Sequence, residues 1–100
     1  MALQIIWTAS AKENLNEILL YWYQRNGTKS FSRKLYKTIK NALKILVKYP
    51  ESGKKSEISE IRVKIIKDYY LFYKFDLSHL YVVGFCDMRR DTEFIGTLLT

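Results

Sequence analysis

The sequence predicts a single small α+β domain, and three observations carry that prediction. A short apolar run opens the chain, two adjacent stretches of helical periodicity follow it, and three shorter stretches of strand-like patterning complete it. At 100 residues there is room for one core, so residues 1–100 are read as one domain. The order strand, helix, helix, strand, strand, strand (βααβββ) implies a helical hairpin packed on one face of a sheet, with the last three strands forming an antiparallel meander.

Leu3 to Trp7 is apolar and aromatic and fits a buried strand. Thr8 and Ser10 can each cap the helix that follows, and Ser10 with Glu13 makes a capping-box pattern. Ala11, Leu15, Ile18, Leu19 and Trp22 recur at helical spacing, and Asn26-Gly27 supplies a stop. A second helix is predicted from Ser30 to about Tyr49, with Phe31, Leu35, Ile39, Ala42, Leu43 and Leu46 on one face and Pro50 closing it. The short Asn26-Gly27-Thr28 link makes the pair an antiparallel hairpin. Opposite the apolar stripe fall Lys29, Arg33, Lys37, Lys40, Lys44 and Lys48.

Glu51 to Glu60, with Gly53 and the pair Lys54-Lys55, reads as a surface loop. Beyond it Ile61, Val63 and Ile65 alternate with Arg62, Lys64 and Ile66, which gives a strand with an apolar face and places Arg62 and Lys64 together on the other. Tyr69 to Phe75 is an aromatic strand, Asp76-Leu77-Ser78-His79 a turn, and Leu80 to Cys86 the last strand.

The net charge is +7 with a pI near 9.5, which permits polyanion binding without naming the polyanion. The single Cys86 excludes an internal disulfide and favours a reducing compartment. Neither a signal peptide nor an apolar stretch approaching the roughly 20 residues of a membrane helix is present, so a cytoplasmic protein that does not insert into membranes is expected.

No phosphate-binding loop, dinucleotide glycine pattern, HExxH or nucleophile elbow occurs, and no metal or cofactor is expected. His79 in a turn and Cys86 in an apolar strand are read as a surface histidine and a small core residue. What remains is cationic: Arg62 and Lys64 on one strand, Lys54 and Lys55 in the loop, and Arg89 and Arg90 after the last strand. Such groups can stabilise a developing phosphorane and protonate a leaving oxygen when RNA is cleaved through its own 2′-hydroxyl. Arginine suits the task through bidentate phosphate contacts.

Over nearly its whole length the chain resembles the RelE/ParE toxin superfamily of type II toxin–antitoxin (plasmid stabilisation) systems. The resemblance is carried by Trp7-Thr8 leading into a helix with Ala11, Leu15, Ile18 and Tyr21-Trp22, and by a second helix closing with Leu46, Pro50 and Gly53. Arg62, the aromatic strand Tyr70 to Tyr73, and Phe85 to Asp91 complete it.

The resemblance implies a toxin neutralised by a cognate antitoxin. The RelE-like branch enters the ribosome and cuts mRNA without a metal, arresting translation. The ParE-like branch poisons DNA gyrase. Fold alone does not separate the two. Arg62, Lys64 and Arg89 match nuclease positions, and Lys37, Lys40 and Lys44 suit ribosomal RNA phosphates, with Lys54, Lys55 and Arg90 as further nucleic-acid contacts. An mRNA endonuclease acting on the ribosome is therefore the expectation, with a gyrase inhibitor or a divergent non-toxic member as alternatives. Two departures stand out. Tyr70 occupies the place of a nuclease arginine, where it could stack on a base, and Phe94 or Ile95 stands where the nucleases have a tyrosine.

Overall fold

The computed structural model describes residues 3–58 and 60–88. Strand β1 (Gln4–Trp7) leads into helices α1 (Ala9–Asn26) and α2 (Ser30–Leu46). A 3-10 turn (Pro50–Ser52) and strands β2 (Lys54–Lys55), β3 (Arg62–Ile66), β4 (Tyr69–Phe75) and β5 (His79–Asp87) follow. The five strands form one sheet in the order β1-β5-β4-β3-β2, antiparallel except where β1 runs parallel to β5. The α+β architecture expected from the sequence is thus the one observed. No described helix is long and apolar enough to cross a membrane.

Local chemistry accounts for the helix ends. The Thr8 hydroxyl accepts the Ala11 N–H at 3.1 Å, so Thr8 rather than Ser10 caps α1. At the other end Gly27 adopts φ 70° and its N–H reaches the Tyr23 carbonyl, which a residue with a Cβ would do only under strain. Helix α2 stops at Leu46, earlier than the predicted Tyr49. Tyr49 precedes Pro50, whose ring disfavours the helical region for its predecessor, and it sits at φ −130°, ψ 67°.

The core lies between the hairpin and one sheet face. Ala11 and Leu15 of α1 and Leu35, Ile39, Leu43 and Leu46 of α2 meet Ile66, Tyr69, Leu71, Tyr73, Leu80, Val82 and Phe85 of the sheet. Each such large apolar side chain, fully buried, contributes about 1.5–3 kcal/mol. A register skip between Phe72 and Tyr73 pairs these with Gly84 and Val82, leaving Val83 as an extra residue. That bulge lets Val82 and Phe85 both face the helices despite their odd spacing. The Asn14 carboxamide oxygen accepts the Phe85 N–H at 3.3 Å nearby, and Trp22 donates its indole N–H to the Tyr69 hydroxyl at 2.7 Å.

Three readings of the sequence are corrected. The first strand is not buried: β1 is a sheet edge, paired on one side only, with Ile5 and Ile6 both exposed. The Glu51 to Glu60 loop contains the 3-10 turn and the short strand β2. In β3 the apolar alternation misplaces the core. Ile66 is buried toward the helices whereas Ile65 is 57 % exposed, so Arg62 and Lys64, which share a face with Ile66, lie on the helix side of the sheet.

Candidate functional site

Among the described site residues Arg62 is the most engaged. It pairs with Tyr73 in the sheet register, and its guanidinium Nη1 donates to the Glu51 carbonyl at 3.0 Å and the Gly53 carbonyl at 2.9 Å. The guanidinium carbon also sits 5.9 Å from the Phe75 ring centroid. Fully buried Tyr73 grips the same segment from within, donating its hydroxyl to the Pro50 carbonyl at 2.7 Å and accepting the Gly53 N–H at 3.0 Å. Burial pushes the Tyr73 phenol above its ordinary pKa, opposed by the Gly53 N–H and the Arg62 charge. A neutral phenol is what donating to Pro50 requires. Gly53 has no alternative at this contact, because a Cβ there would collide with the Tyr73 hydroxyl. Arg62, Tyr73, Pro50 and Gly53 therefore form a latch that ties the 3-10 turn and β2 to the middle of the sheet.

The other predicted residues divide between the two faces. Lys64 pairs with Leu71 and Lys55 with Arg62, so both join Arg62 on the helix side. Lys64 has no hydrogen bond or ion pair with another described side chain. Lys54 pairs with Val63, and Tyr70 with Ile65, which places both on the opposite face, where Tyr70 lies 6.0 Å from Phe72. Tyr70 and the Arg62–Lys64 pair are thus on opposite sides of the sheet. Arg89 and Arg90, like Phe94 and Ile95, lie outside the described residues.

Lys37, Lys40 and Lys44 belong to a larger array. Lys29, Arg33, Lys34, Lys37, Lys40, Lys44 and Lys48 are all exposed, on the side of α2 away from Leu35, Ile39, Leu43 and Leu46. None makes an ion pair with a described carboxylate. The Lys29 ammonium stands 5.8 Å from the Tyr23 ring centroid and the Lys40 ammonium 5.7 Å from that of Tyr36, so these rings lie beneath cations. At the hairpin turn Tyr23, Thr28, Lys29, Ser30, Arg33 and Lys34 line an open pocket of about 670 Å³.

The arrangement is unfavourable to the helix itself. Like charges four residues apart destabilise by about 0.2–0.5 kcal/mol per pair, and the 29/33, 33/37, 40/44 and 44/48 pairs all have this spacing. Lys29, Arg33 and Lys34 also crowd the positive end of the helix dipole, with no acid in the first turn.

Fold and surface together define a small basic domain that presents its charge on an open helix face and holds its sheet with an arginine–tyrosine latch. A family profile described as the ParE toxin of type II toxin–antitoxin systems, parDE, matches residues 5–92. The chain belongs to that toxin family. Among solved structures it is similar to a chain of the chromosomal ParDE toxin–antitoxin system from P. aeruginosa, with a TM-score of 0.72 at 17 % identity, covering 86 % of this chain and 96 % of that one. No curated protein matches the sequence.

Arg62 stood out in the sequence, whereas Glu51 and Gly53 as its partners, and Tyr73 and Pro50 as the other members of the latch, did not. The residues themselves, Pro50, Gly53, Arg62 and the strand through Tyr73, belong to the pattern that carried the resemblance, but nothing in that pattern shows main-chain carbonyls as the contacts.

Proposed function

We propose that this chain is the toxin of a ParDE-type pair, held inactive in the cytoplasm by a cognate antitoxin, and that it arrests growth by binding DNA gyrase. The observation carrying this choice over mRNA cleavage is the state of Arg62. The cation a nuclease would aim at the scissile phosphate is committed to the Glu51 and Gly53 carbonyls, and Tyr70 faces away from it. Electrostatic catalysis depends on donors preorganised toward the point where transition-state charge develops, whereas the Arg62 Nη1 is fixed toward these two main-chain carbonyls. Arg62 instead performs a structural task that a binding toxin needs as much as an enzyme does. The family match over residues 5–92 supports the same reading.

Adding the purified chain to gyrase with relaxed plasmid should block supercoiling and accumulate cleavage complexes, and induction in cells should raise the SOS response while bulk mRNA stays intact. Unaltered supercoiling at saturating toxin, together with codon-phased mRNA breaks in translating ribosomes, would place the chain with the nucleases instead.

A further inference from the structure

We infer that the exposed face of α2 is a binding surface for the phosphodiester backbone of duplex DNA, used independently of base sequence and whichever target the toxin poisons. The charge distribution carries the inference. The chain has 17 Lys and Arg against 10 Asp and Glu, a net +7. Seven of those cations and no acid fall between Thr28 and Pro50, so the remaining ten cations and ten acids cancel. The whole net charge of the protein therefore resides on one helix and its two ends.

Basic residues that served solubility alone would be interspersed with acids, as they are elsewhere in this chain. Here they repel one another at four-residue spacing and oppose the helix dipole, and no described carboxylate neutralises them. A line of phosphates removes both penalties at once. From Lys29 to Lys48 the row runs about 28 Å at 1.5 Å per residue, a length along which each strand of a duplex places roughly eight phosphates at 3.4 Å.

The chemistry favours a duplex over other polyanions. Single-stranded nucleic acid is gripped by free aromatic faces on which bases stack, whereas the Tyr23 and Tyr36 rings beside this row already lie under Lys29 and Lys40. An acidic protein would need apolar anchors at the centre of its interface, whereas the exposed apolar side chains here, Tyr36, Ile45 and Tyr49, flank the row of Arg33, Lys37, Lys40 and Lys44 and do not lie within it. A straight, rigid line of cations, with apolar side chains only at its margins, matches a stiff, uniformly charged rod.

The test is fluorescence anisotropy of the full-length chain with a labelled 20-base-pair DNA of arbitrary sequence, titrated at several potassium chloride concentrations. Binding should weaken linearly on logarithmic axes, with a slope of about −0.9 for each phosphate neutralised. Replacing Lys37, Lys40 and Lys44 together by Gln should flatten that slope by about 2.7 and weaken binding at least tenfold at about 0.1 M salt. The thermal midpoint of this variant should hold or rise, which separates lost contacts from lost folding. Lys12→Gln combined with Lys74→Gln, away from the row, should leave the slope within about one contact of the parent. No duplex binding at low salt, an unchanged slope in the triple variant, or tighter binding to single-stranded RNA than to duplex DNA would each overturn the inference. Because gyrase is absent from the measurement, failure here leaves the supercoiling result to be judged separately.

Discussion

Two regions of this small protein use cationic side chains in opposite ways. At the β3 end of the sheet, Arg62 turns its charge inward onto the carbonyls of Glu51 and Gly53. Along α2, seven cations turn outward with no described carboxylate in reach. Position in the fold, and not residue identity, decides which cations serve the structure and which remain available to a partner. Strand β3 lies beside a turn with orphan carbonyls to satisfy, whereas the outer side of α2 has only solvent before it.

The comparison predicts that the latch is costly to break and the helix row is not. The largest effect is expected at Gly53→Ala. A methyl placed against the Tyr73 hydroxyl must displace a fully buried ring and the hydrogen bonds to Gly53 and Pro50. Overpacking of this kind costs typically about 1–3 kcal/mol, and an unsatisfied buried group about as much again, so a loss of about 2–6 kcal/mol is expected in urea unfolding. Tyr73→Phe removes the hydroxyl, the nearest atom the methyl would meet, while the ring carbons Cε1 and Cζ stay in its way, so strain is relieved in part and the double variant should be less unstable than the two single losses combined. Additive losses would show that the collision does not govern this site.

A second, smaller effect sharpens the contrast within β3. Arg62→Ala should cost about 1.5–3 kcal/mol, the range for hydrogen bonds from a charged group, whereas Lys64→Ala two residues away should stay within about 0.5 kcal/mol. Under the function proposed above, inhibition of gyrase by Arg62→Ala, measured below its melting temperature with the folded fraction matched, should be largely retained. If inhibition vanished while the fold remained intact, Arg62 would have to touch the target.

How much of this was legible in the sequence follows the range of the interactions. Thr8 and Gly27 mark the ends of α1 because a cap acts within a turn of its residue. The α2 row could be placed in angle because the helical period fixes it once Leu35, Ile39 and Leu43 define the inner side. Strand β3 was legible only in its alternation. Period two leaves the phase open, and near a sheet margin Val63 and Ile65 can lie on the uncovered face while Arg62 and Lys64 take the helix side. The parallel pairing of β1 with β5 spans more than seventy residues and is not encoded by either segment alone. The partners of Arg62 were invisible for another reason: they are main-chain carbonyls, presented by a 3-10 turn that Pro50 and the Tyr73 hydroxyl create together.

The α2 row yields a third prediction of opposite sign. Neutralising Lys37, Lys40 and Lys44 removes like-charge pairs from a solvated surface, so stability in low salt should rise by a few tenths of a kcal/mol. The gain should fade as added salt shortens the Debye length from about 30 Å at 0.01 M to about 3 Å at 1 M. A salt-independent gain would point to helix propensity and not to repulsion.

The smallest effect is expected where a carboxylate, like Arg62, spends its charge on the backbone. Asp76 accepts the N–H groups of Ser78 and His79 through Oδ1 at 2.9 and 2.8 Å and the Tyr81 hydroxyl through Oδ2 at 3.0 Å, closing the β4–β5 turn. The backbone N–H of Ser78 and then that of His79 do most to lower its pKa, to about 2 from an ordinary 3.8. Because the folded value lies below the unfolded one, the stabilisation from ionised Asp76 is fully present above the unfolded value and is lost as pH falls through about 2. Asp76→Asn keeps an acceptor in place but removes the charge. The variant should therefore melt slightly below the parent at pH 6, with the gap closing as pH falls from about 4 toward 2. A gap that stayed constant across that interval would assign the turn's strength to hydrogen-bond geometry alone, leaving Arg62 as the case in which internal use of a charge matters most.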